Sequence, residues 1–183
     1  MRYSVHGFVA VALALAVAAP ALAQNAVHQL EAELTASPSA TQLLTEKCAA
    51  LKLASPAVVK AVRENRDAPA SAAVRAVLEV SADTPLHYRR VNLTCGGHVL
   101  SQADNWYVPS RLGADMNKTL DTTETSFGTV VKPLNFHRKT LKMEALDEPL
   151  HSLRVTAVLI SGEGRPFSLV VENYSREITD GRR

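Results

Sequence analysis

The stretch LHYRRVNLTCGGHVLSQADNWYV, residues 86–108, decides the fold of this chain. Apolar and polar residues alternate along both of its halves, which is the period expected of strands with one buried face. The glycine pair Gly96–Gly97 separates the two halves and permits a tight turn. The pattern therefore predicts a β-hairpin with strands at about 86–94 and 99–108.

The same alternation places an arginine where burial is expected. Val91 should face the core, and Arg89 shares its face, whereas Arg90 lies on the opposite face. A buried guanidinium requires an anion partner because an unpaired buried charge is costly. The partner is either an internal carboxylate, such as Glu79 or Glu172, or the carboxylate of a ligand.

Helical signals dominate the part of the chain before the hairpin, at about residues 27–65. Ser39–Gln42 resembles a capping box, and Ser55–Pro56 places a capping hydroxyl before a proline at a first helical position. Apolar residues recur at helical spacing in two groups, Leu43, Leu44, Cys48 and Leu51, then Val58, Val59 and Val62. The sequence predicts helices that cover a core.

A period of two then dominates from about residue 74 to residue 176. Besides the central hairpin, strands are predicted at about 74–80, 130–143, 153–160 and 167–174, the last two joined by the turn Ser161–Gly164. A short helix is predicted at about 112–120. Helices followed by hairpin-linked strands predict an α+β domain with an antiparallel sheet.

The first residues have the layout of a secretory signal peptide at 1–23. Arg2 precedes an apolar run from Phe8 to Ala19, and the segment ends in a small-x-small pattern before Gln24. The run is too short and too rich in alanine for a stable membrane span. We therefore expect cleavage, a periplasmic or secreted product without a membrane span, and a single domain over residues 24–183. An uncleaved N-terminal anchor is the alternative.

The predicted mature chain is almost neutral. Without Arg2, nineteen Lys and Arg residues face eighteen Asp and Glu residues, and they form no basic stripe. Nucleic-acid binding therefore has no electrostatic support, and we expect no nucleic-acid partner. Two cysteines, Cys48 and Cys95, form either one disulfide in an oxidising compartment or two separate buried thiols.

No motif indicates a metal or a cofactor. The six histidines are scattered without paired spacing. The sequence also lacks a phosphate-binding glycine loop, a dinucleotide fingerprint and a Gly-x-Ser-x-Gly elbow. We expect neither a metal site nor a cofactor.

Several short motifs resemble the chorismate lyase (chorismate pyruvate-lyase) family. In chain order, the matching pieces are Ser39–Thr41, Arg89–Leu93, Gly96–Gly97, Ala103–Pro109, Thr125–Gly128, Arg138 and Pro166–Tyr174. The fold superfamily of this enzyme also includes the ligand-sensing domains of GntR-type transcription regulators. The resemblance implies a highly curved antiparallel sheet of about six strands, flanked by helices, with a buried ligand cavity closed by flaps.

The resemblance also implies an activity, the cleavage of chorismate to 4-hydroxybenzoate and pyruvate without cofactor or metal. By similarity, Arg89 grips one substrate carboxylate, with Arg90 as the alternative if the strand register shifts by one. Arg138 then holds the other carboxylate, and Glu172 is the proton donor beside the ether oxygen. The implied partner is chorismate or a small aromatic carboxylate, bound by a monomer.

Three further residues are implied in the pocket. Phe127 and Gly128 match a small loop that lines it with backbone groups. Trp106 would form an aromatic wall, although an ordinary core position is the alternative.

Two one-residue insertions separate this chain from the family pattern. One lies between Gly97 and Ala103, and the other places Glu172 six residues after Pro166. A bulge in the last strand is required if Glu172 is to face the site. Export also separates the chain from cytoplasmic chorismate, so an exported, non-catalytic binding protein for a small aromatic carboxylate is the alternative function. A third possibility is a structural protein whose cavity is filled by side chains.

Overall fold

The computed structural model describes residues 18–180, with side chains at 24–179. Its helices are α1 (Ala18–Ala36), α2 (Ala40–Ala50), α3 (Ala72–Val77), α4 (Ala114–Thr122), α5 (Phe127–Val130) and α6 (Glu177–Asp180). Its strands are β1 (Val59–Glu64), β2 (His87–Cys95), β3 (His98–Tyr107), β4 (His137–Ala145), β5 (His151–Ile160) and β6 (Pro166–Ser175). Most of the predicted signal peptide, residues 1–17, lies outside the described residues, and the peptide remains a prediction.

All six strands form one antiparallel sheet in the order β1-β2-β3-β6-β5-β4. This sheet, flanked by helices, confirms the predicted α+β fold class. The central hairpin is β2–β3, and its alternation is as predicted, with Arg89, Val91 and Leu93 buried and their neighbours on the other face partly exposed. Between residues 18 and 180, no helix is both long and apolar enough to cross a membrane.

The sheet begins earlier than predicted, because residues 59–64 form strand β1 and not the end of a helix. Each of these residues pairs with one in β2, from Val59 opposite Cys95 to Glu64 opposite Arg90. Ala61 is buried while Val62 is exposed, which is the alternation of an edge strand. Pairing with a long neighbouring strand outweighs the local helical spacing of three valines.

Two other predicted strands are wrong at least in part. Residues 72–77 form helix α3, which the Ser71 side chain caps by accepting a hydrogen bond from the Val74 backbone N–H at 3.3 Å. Burial of Val74 and Leu78, four residues apart, fits a helix face better than a strand face. The segment 130–136 holds the end of α5 and a 3-10 turn containing Pro133, so β4 begins only at His137.

Both insertions relative to the family pattern are absorbed as β-bulges. In β2–β3 the pairing steps from Leu93–Ser101 to Thr94–Val99, which leaves Leu100 without an opposite residue. In β5–β6 it steps from Leu159–Ser168 to Ile160–Pro166, which leaves Phe167 extra. The bulge predicted in the last strand is therefore confirmed, and Glu172 lies on the same face of the sheet as Arg89.

A disulfide joins Cys48 of α2 to Cys95 at the end of β2, with a Cα–Cα distance of 6.4 Å. This decides between the two cysteine alternatives. Helix α2 is also packed through Leu43 and Leu44, which are buried in the main hydrophobic cluster. The C-terminal half of α2 is thus fixed to the sheet, and its N-terminal end lies over the inner face.

Candidate functional site

A cavity of about 50 Å³ lies between the inner face of the sheet and helices α2 and α5. Its lining residues are Ser39, Ala40, Thr41, Arg89, Val91, Leu93, Ala103, Asn105, Phe127, Gly128, Phe136, Arg138, Leu159, Val170 and Glu172. Five of the seven residues predicted for the site are among them, namely Arg89, Arg138, Glu172, Phe127 and Gly128. Their roles toward a ligand remain predictions.

The strand register brings the polar residues of the cavity together. Arg89 of β2 lies directly opposite Asn105 of β3, and Glu172 of β6 lies opposite Ala103 of the same strand. Arg138 of β4 joins the same face through its pairing with Leu159 of β5. Directly paired residues share a face of an antiparallel sheet. The site is therefore built on four strands and not on loops.

Glu172 is held by two donors within the sheet. Arg138 Nη2 donates to Glu172 Oε2 at 2.6 Å, and the Tyr174 hydroxyl donates to the same oxygen at 2.9 Å. Burial opposes the charged form of Arg138, but the attraction of Glu172 and Tyr174 outweighs it and raises the Arg138 pKa. Burial, followed by the charge of Glu172, raises the pKa of Tyr174 well above its ordinary value. Tyr174 therefore keeps its proton and acts as a donor.

Arg89, in contrast, is buried without a carboxylate. Only 4% of it is exposed, and its hydrogen bond within residues 24–179 runs from Nη2 to the Thr125 carbonyl oxygen at 3.3 Å. Neither internal carboxylate named from the sequence, Glu79 or Glu172, forms an ion pair with it among these residues. Burial, with repulsion from Arg63, lowers the pKa of Arg89 to about 10. The protein thus keeps a cation in an unfavourable place.

Three buried donors at the cavity have no hydrogen-bond acceptor within the described side chains. They are Arg89 Nε, Arg138 Nε and Asn105 Nδ2. The Asn105 side chain is fixed from its other end, because its Oδ1 accepts a hydrogen bond from the Ser168 hydroxyl at 2.5 Å. Unpaired buried donors cost free energy. Their grouping at one cavity indicates a site built to receive an acceptor.

Sequence reasoning missed Asn105. The signal was present, because Asn105 alternates with Ala103 and Tyr107 on the inward face of β3, where a polar residue is unusual. The same alternation explains the Trp106–Tyr107 pair. Tyr107 is inside, 5.4 Å from the Phe127 ring centroid, and Trp106 is on the outer face.

The N-terminal end of helix α2 adds positive potential to the cavity. Ser39 caps this helix by accepting the Gln42 N–H at 3.1 Å, and Ser39, Ala40 and Thr41 all line the cavity. A helix N-terminus carries about half a positive charge. With two guanidinium groups and one carboxylate, the side chains of the cavity already have a net charge of one positive unit.

Arg90 and Trp106 do not line the cavity, which corrects the prediction of a position in the pocket. Arg90 lies on the outer face, where it donates to Glu64 and Asp104 at 2.8 Å each. Trp106 donates its indole N–H to the Ala68 carbonyl at 2.8 Å. Strand alternation alone separates both from Arg89 and Tyr107.

A thin wall separates the cavity from an open groove of about 590 Å³. Ser39, Thr41, Gly128 and Phe136 line both spaces. The wall has close van der Waals contact, because a Cβ atom on Gly128 would lie 3.2 Å from Thr41 Oγ1. In the part of the chain that the structure describes, no hydrogen bond joins α2 to the segment from Gly128 to Phe136 across this wall. Opening it would therefore break packing contacts alone.

The residues with described side chains contain no group of three or more His, Cys, Asp and Glu residues placed to hold a metal. The chemistry of the cavity is that of guanidinium, amide, carboxylate and backbone groups. Such a set can bind an anion and present a carboxylate oxygen beside it.

Comparison with solved structures supports the fold. PhnF from Mycobacterium smegmatis superposes with a TM-score of 0.52 at 12% identity, over 67% of this chain and 60% of that one. The ligand-binding domain of a protein assigned to the GntR family of transcriptional regulators, from Bordetella bronchiseptica, gives 0.47 at 15% identity over 63% and 82%. The chain thus has the chorismate lyase-like fold of GntR ligand-binding domains and spans about three fifths of full-length PhnF.

These comparisons correct one prediction. A GntR-family transcriptional regulator from Bacillus cereus is also similar, with a TM-score of 0.45 at 13% identity over 65% of this chain and 92% of that one. Proteins of this class act on DNA as well as on small molecules. The expectation of no nucleic-acid partner, which rested on charge alone, is contradicted and is withdrawn.

Sequence comparison gives the family. No protein-family model matches the chain. The uncharacterized protein y4mC from Sinorhizobium fredii is 39% identical over 178 residues, an alignment that covers 84% of this chain and 75% of that protein. Identity at this level over most of both chains indicates common descent and a common fold. The chain therefore belongs to the same protein family as y4mC of Sinorhizobium fredii.

Proposed function

We propose that this protein binds a small carboxylate with an apolar, aromatic body and does not convert it. The observation that carries the proposal is the group of three unpaired buried donors, Arg89 Nε, Arg138 Nε and Asn105 Nδ2, at one cavity. A carboxylate offers about four lone-pair positions and matches the planar fork of a guanidinium. The fold shared with ligand-binding domains supports the same reading.

The charge of the cavity supports an anion over a neutral ligand. Arg138 is neutralised by Glu172 at 2.6 Å, but Arg89 has no such partner among the described side chains. A bound carboxylate would supply the missing negative charge beside Arg89 and the N-terminus of α2. Binding would then remove an unfavourable buried charge that the empty protein tolerates.

The apolar part of the lining supports an aromatic or similarly flat body. Val91, Leu93, Leu159 and Val170 come from the sheet, and two phenylalanines, at 127 and 136, come from the segment that follows α4. Cavities for small organic ligands combine such a surface with a few polar groups that fix orientation. The polar groups here are concentrated on Arg89, Asn105, Arg138 and Glu172, so they would orient one end of the ligand.

The size of the cavity requires movement on binding. Its volume of about 50 Å³ accommodates a carboxylate group, whereas pockets for organic ligands span roughly 300–1,000 Å³. The wall of Ser39, Thr41, Gly128 and Phe136 is the part that can yield, because α2 is fixed by its disulfide at the far end. We propose that the ligand enters from the outer groove through this wall.

Chorismate cleavage is a second candidate, which one observation favours. Glu172 lies in the cavity with both arginines, as the lyase resemblance requires of an acid. Its Oε2, however, already accepts two hydrogen bonds, from Arg138 and Tyr174. This arrangement supports a fixed acceptor more than a group that releases a proton to a substrate.

Export to the periplasm or beyond is also a proposal. It rests on the signal-like residues 1–23 and is supported by the Cys48–Cys95 disulfide, because disulfides persist in oxidising compartments. An exported binder would meet small carboxylates outside the cytoplasm.

Thermal unfolding with added ligand tests the proposed function. Benzoate and 4-hydroxybenzoate at about 100 times Kd should stabilise the fold by about 2.7 kcal/mol, and benzyl alcohol, which lacks the charge, should not. Arg89→Ala should remove the effect. Stabilisation that is equal for benzyl alcohol, or that survives Arg89→Ala, would contradict the proposal.

Incubation with chorismate separates the two candidates. The binding proposal predicts no 4-hydroxybenzoate and no pyruvate. Formation of both products by the wild type, with loss of both in Glu172→Gln, would establish the lyase instead.

A further inference from the structure

Tyr174 is the buried residue whose position the proposed function leaves unexplained. It is fully buried in the main hydrophobic cluster, yet its hydroxyl reaches Glu172 Oε2 at 2.9 Å. The two residues are neighbours on the inward face of β6, two positions apart. A phenylalanine would fill the same apolar volume, so packing alone does not account for the hydroxyl.

The two donors on Glu172 converge on one oxygen. Arg138 Nη2 and the Tyr174 hydroxyl both donate to Oε2. No hydrogen bond to Oε1 is found among the described side chains, and Glu172 lines the cavity. Two donors from different directions fix the rotation of a carboxylate about its terminal bond, because a single donor would leave it free to turn. Oε1 is therefore the oxygen that remains for a ligand.

A free carboxylate oxygen beside cationic donors selects a particular ligand. It repels a second carboxylate but accepts a hydrogen bond from a hydroxyl group. We propose that Tyr174 is a positioning residue that holds Glu172 so that Oε1 accepts a hydrogen bond from the ligand, and that the ligand is therefore a carboxylate which also carries a hydroxyl group. This inference rests on the proposed function, because it assumes that the ligand carboxylate lies at Arg89 and Asn105.

The protonation of Tyr174 agrees with this role. Burial and the nearby charge of Glu172 both raise its pKa, so it remains a donor throughout the physiological range. Arg138 is likewise held in its charged form by Glu172. The Glu172 carboxylate thus has two permanent donors on one side.

Affinity for benzoate and for its 2-, 3- and 4-hydroxy derivatives tests the inference by isothermal titration. The wild type should bind at least one hydroxybenzoate about tenfold more tightly than benzoate, the gain expected of one hydrogen bond to a charged group. Tyr174→Phe should lose most of this preference while its affinity for benzoate stays within about twofold. A structural role alone would weaken all four ligands together.

Tyr88→Phe is the matched control. Tyr88 also donates its hydroxyl to a carboxylate, that of Asp104, but on the outer face of the sheet. It should leave the preference for the hydroxylated ligand unchanged. Thermal unfolding of both variants shows whether each is folded, and the wild-type preference can be measured without any variant.

The outcomes separate the inference from the proposed function. Equal binding of benzoate and all hydroxybenzoates by the wild type would overturn the inference and leave the carboxylate site standing. Equal weakening of every ligand in Tyr174→Phe would do the same. Failure of all four compounds to bind would overturn the proposed function itself.

Discussion

Replacing Arg89 by methionine should make the ligand-free protein more stable while removing its ligand binding. Arg89 is 4% exposed, and its only hydrogen bond in residues 24–179 is a long one, 3.3 Å, to the Thr125 carbonyl. Methionine has a similar length and an apolar side chain that suits irregular cores. The substitution removes a buried charge that no carboxylate compensates, so it should relieve a cost.

The magnitude follows from the pKa of Arg89. Burial and Arg63 lower it from the ordinary value of 12.5 to about 10, and each pH unit corresponds to about 1.36 kcal/mol. The charged form therefore costs about 3 kcal/mol in the fold, from which about 1 kcal/mol is subtracted for the lost hydrogen bond. The expected gain is about 2 kcal/mol, or a Tm rise of roughly 4–8 °C for a chain of this size.

The sign of the pH dependence can be worked out from the same values. The folded pKa of Arg89 lies below the unfolded one, so the unfolded state binds more protons and stability rises with pH only between about 10 and 12.5. Below pH 9 both states are fully charged. The gain in Arg89→Met should therefore be the same at pH 6 and pH 8.

Thermal unfolding of Arg89→Met beside Arg90→Met is the assay. Arg90 is the adjacent residue, but it pairs with Glu64 and Asp104 on the outer face. Its loss should lower the free energy of unfolding by about 1 kcal/mol. A fall in Tm for Arg89→Met, like that for Arg90→Met, would refute the reasoning, because it would mean that the charge of Arg89 is compensated.

Three further perturbations have defined outcomes. Arg138→Met should lower the free energy of unfolding by about 3 kcal/mol in a denaturant titration, because it leaves the buried Glu172 carboxylate without its cation at 2.6 Å. Reduction of the Cys48–Cys95 disulfide, which closes a sequence separation of 47 residues, should cost about 4 kcal/mol, measured as the shift of the denaturant midpoint. Gly128→Ala should slow association of benzoate about tenfold in stopped-flow binding, because the new Cβ would meet the wall at 3.2 Å.

Each of these outcomes has a control. Gly113→Ala adds a Cβ where no atom lies within 4 Å, so association should keep its wild-type rate. Thr41→Ala removes the oxygen that the new Cβ would meet and should restore the rate in Gly128→Ala. An unchanged rate in Gly128→Ala alone would show that the ligand does not enter through this wall. A midpoint that does not move on reduction would show that the disulfide is dispensable for stability.

The central hairpin was predictable because its alternation, its glycine turn and its pairing all agree. The same agreement holds for the last hairpin and for α4. The segments at 59–64 and 72–77 were exchanged in type because both are short and rich in valine and alanine, which leaves the period ambiguous. Their type depends on distant groups, strand β2 for the first and a packed apolar cluster for the second.

The site was predictable where strand alternation governs it and not where sequence order misleads. Arg89, Arg138 and Glu172 come from three strands, and the register of the sheet brings them to one cavity. Trp106 and Arg90 were placed in the pocket by resemblance, although alternation points both to the opposite face. Asn105 is a cavity residue by the same alternation. The identity of the Arg138–Glu172 pair depends on register across β4, β5 and β6, which sequence spacing does not define.

A crystal structure of the protein with benzoate tests the central claim most directly. The account predicts a carboxylate between Arg89 and Asn105, with donor–acceptor distances of about 2.7–3.2 Å, and displacement of Gly128 or Phe136 from the α2 N-terminus. Benzoate found in the outer groove alone, with Arg89 turned toward a carboxylate of the protein, would contradict it.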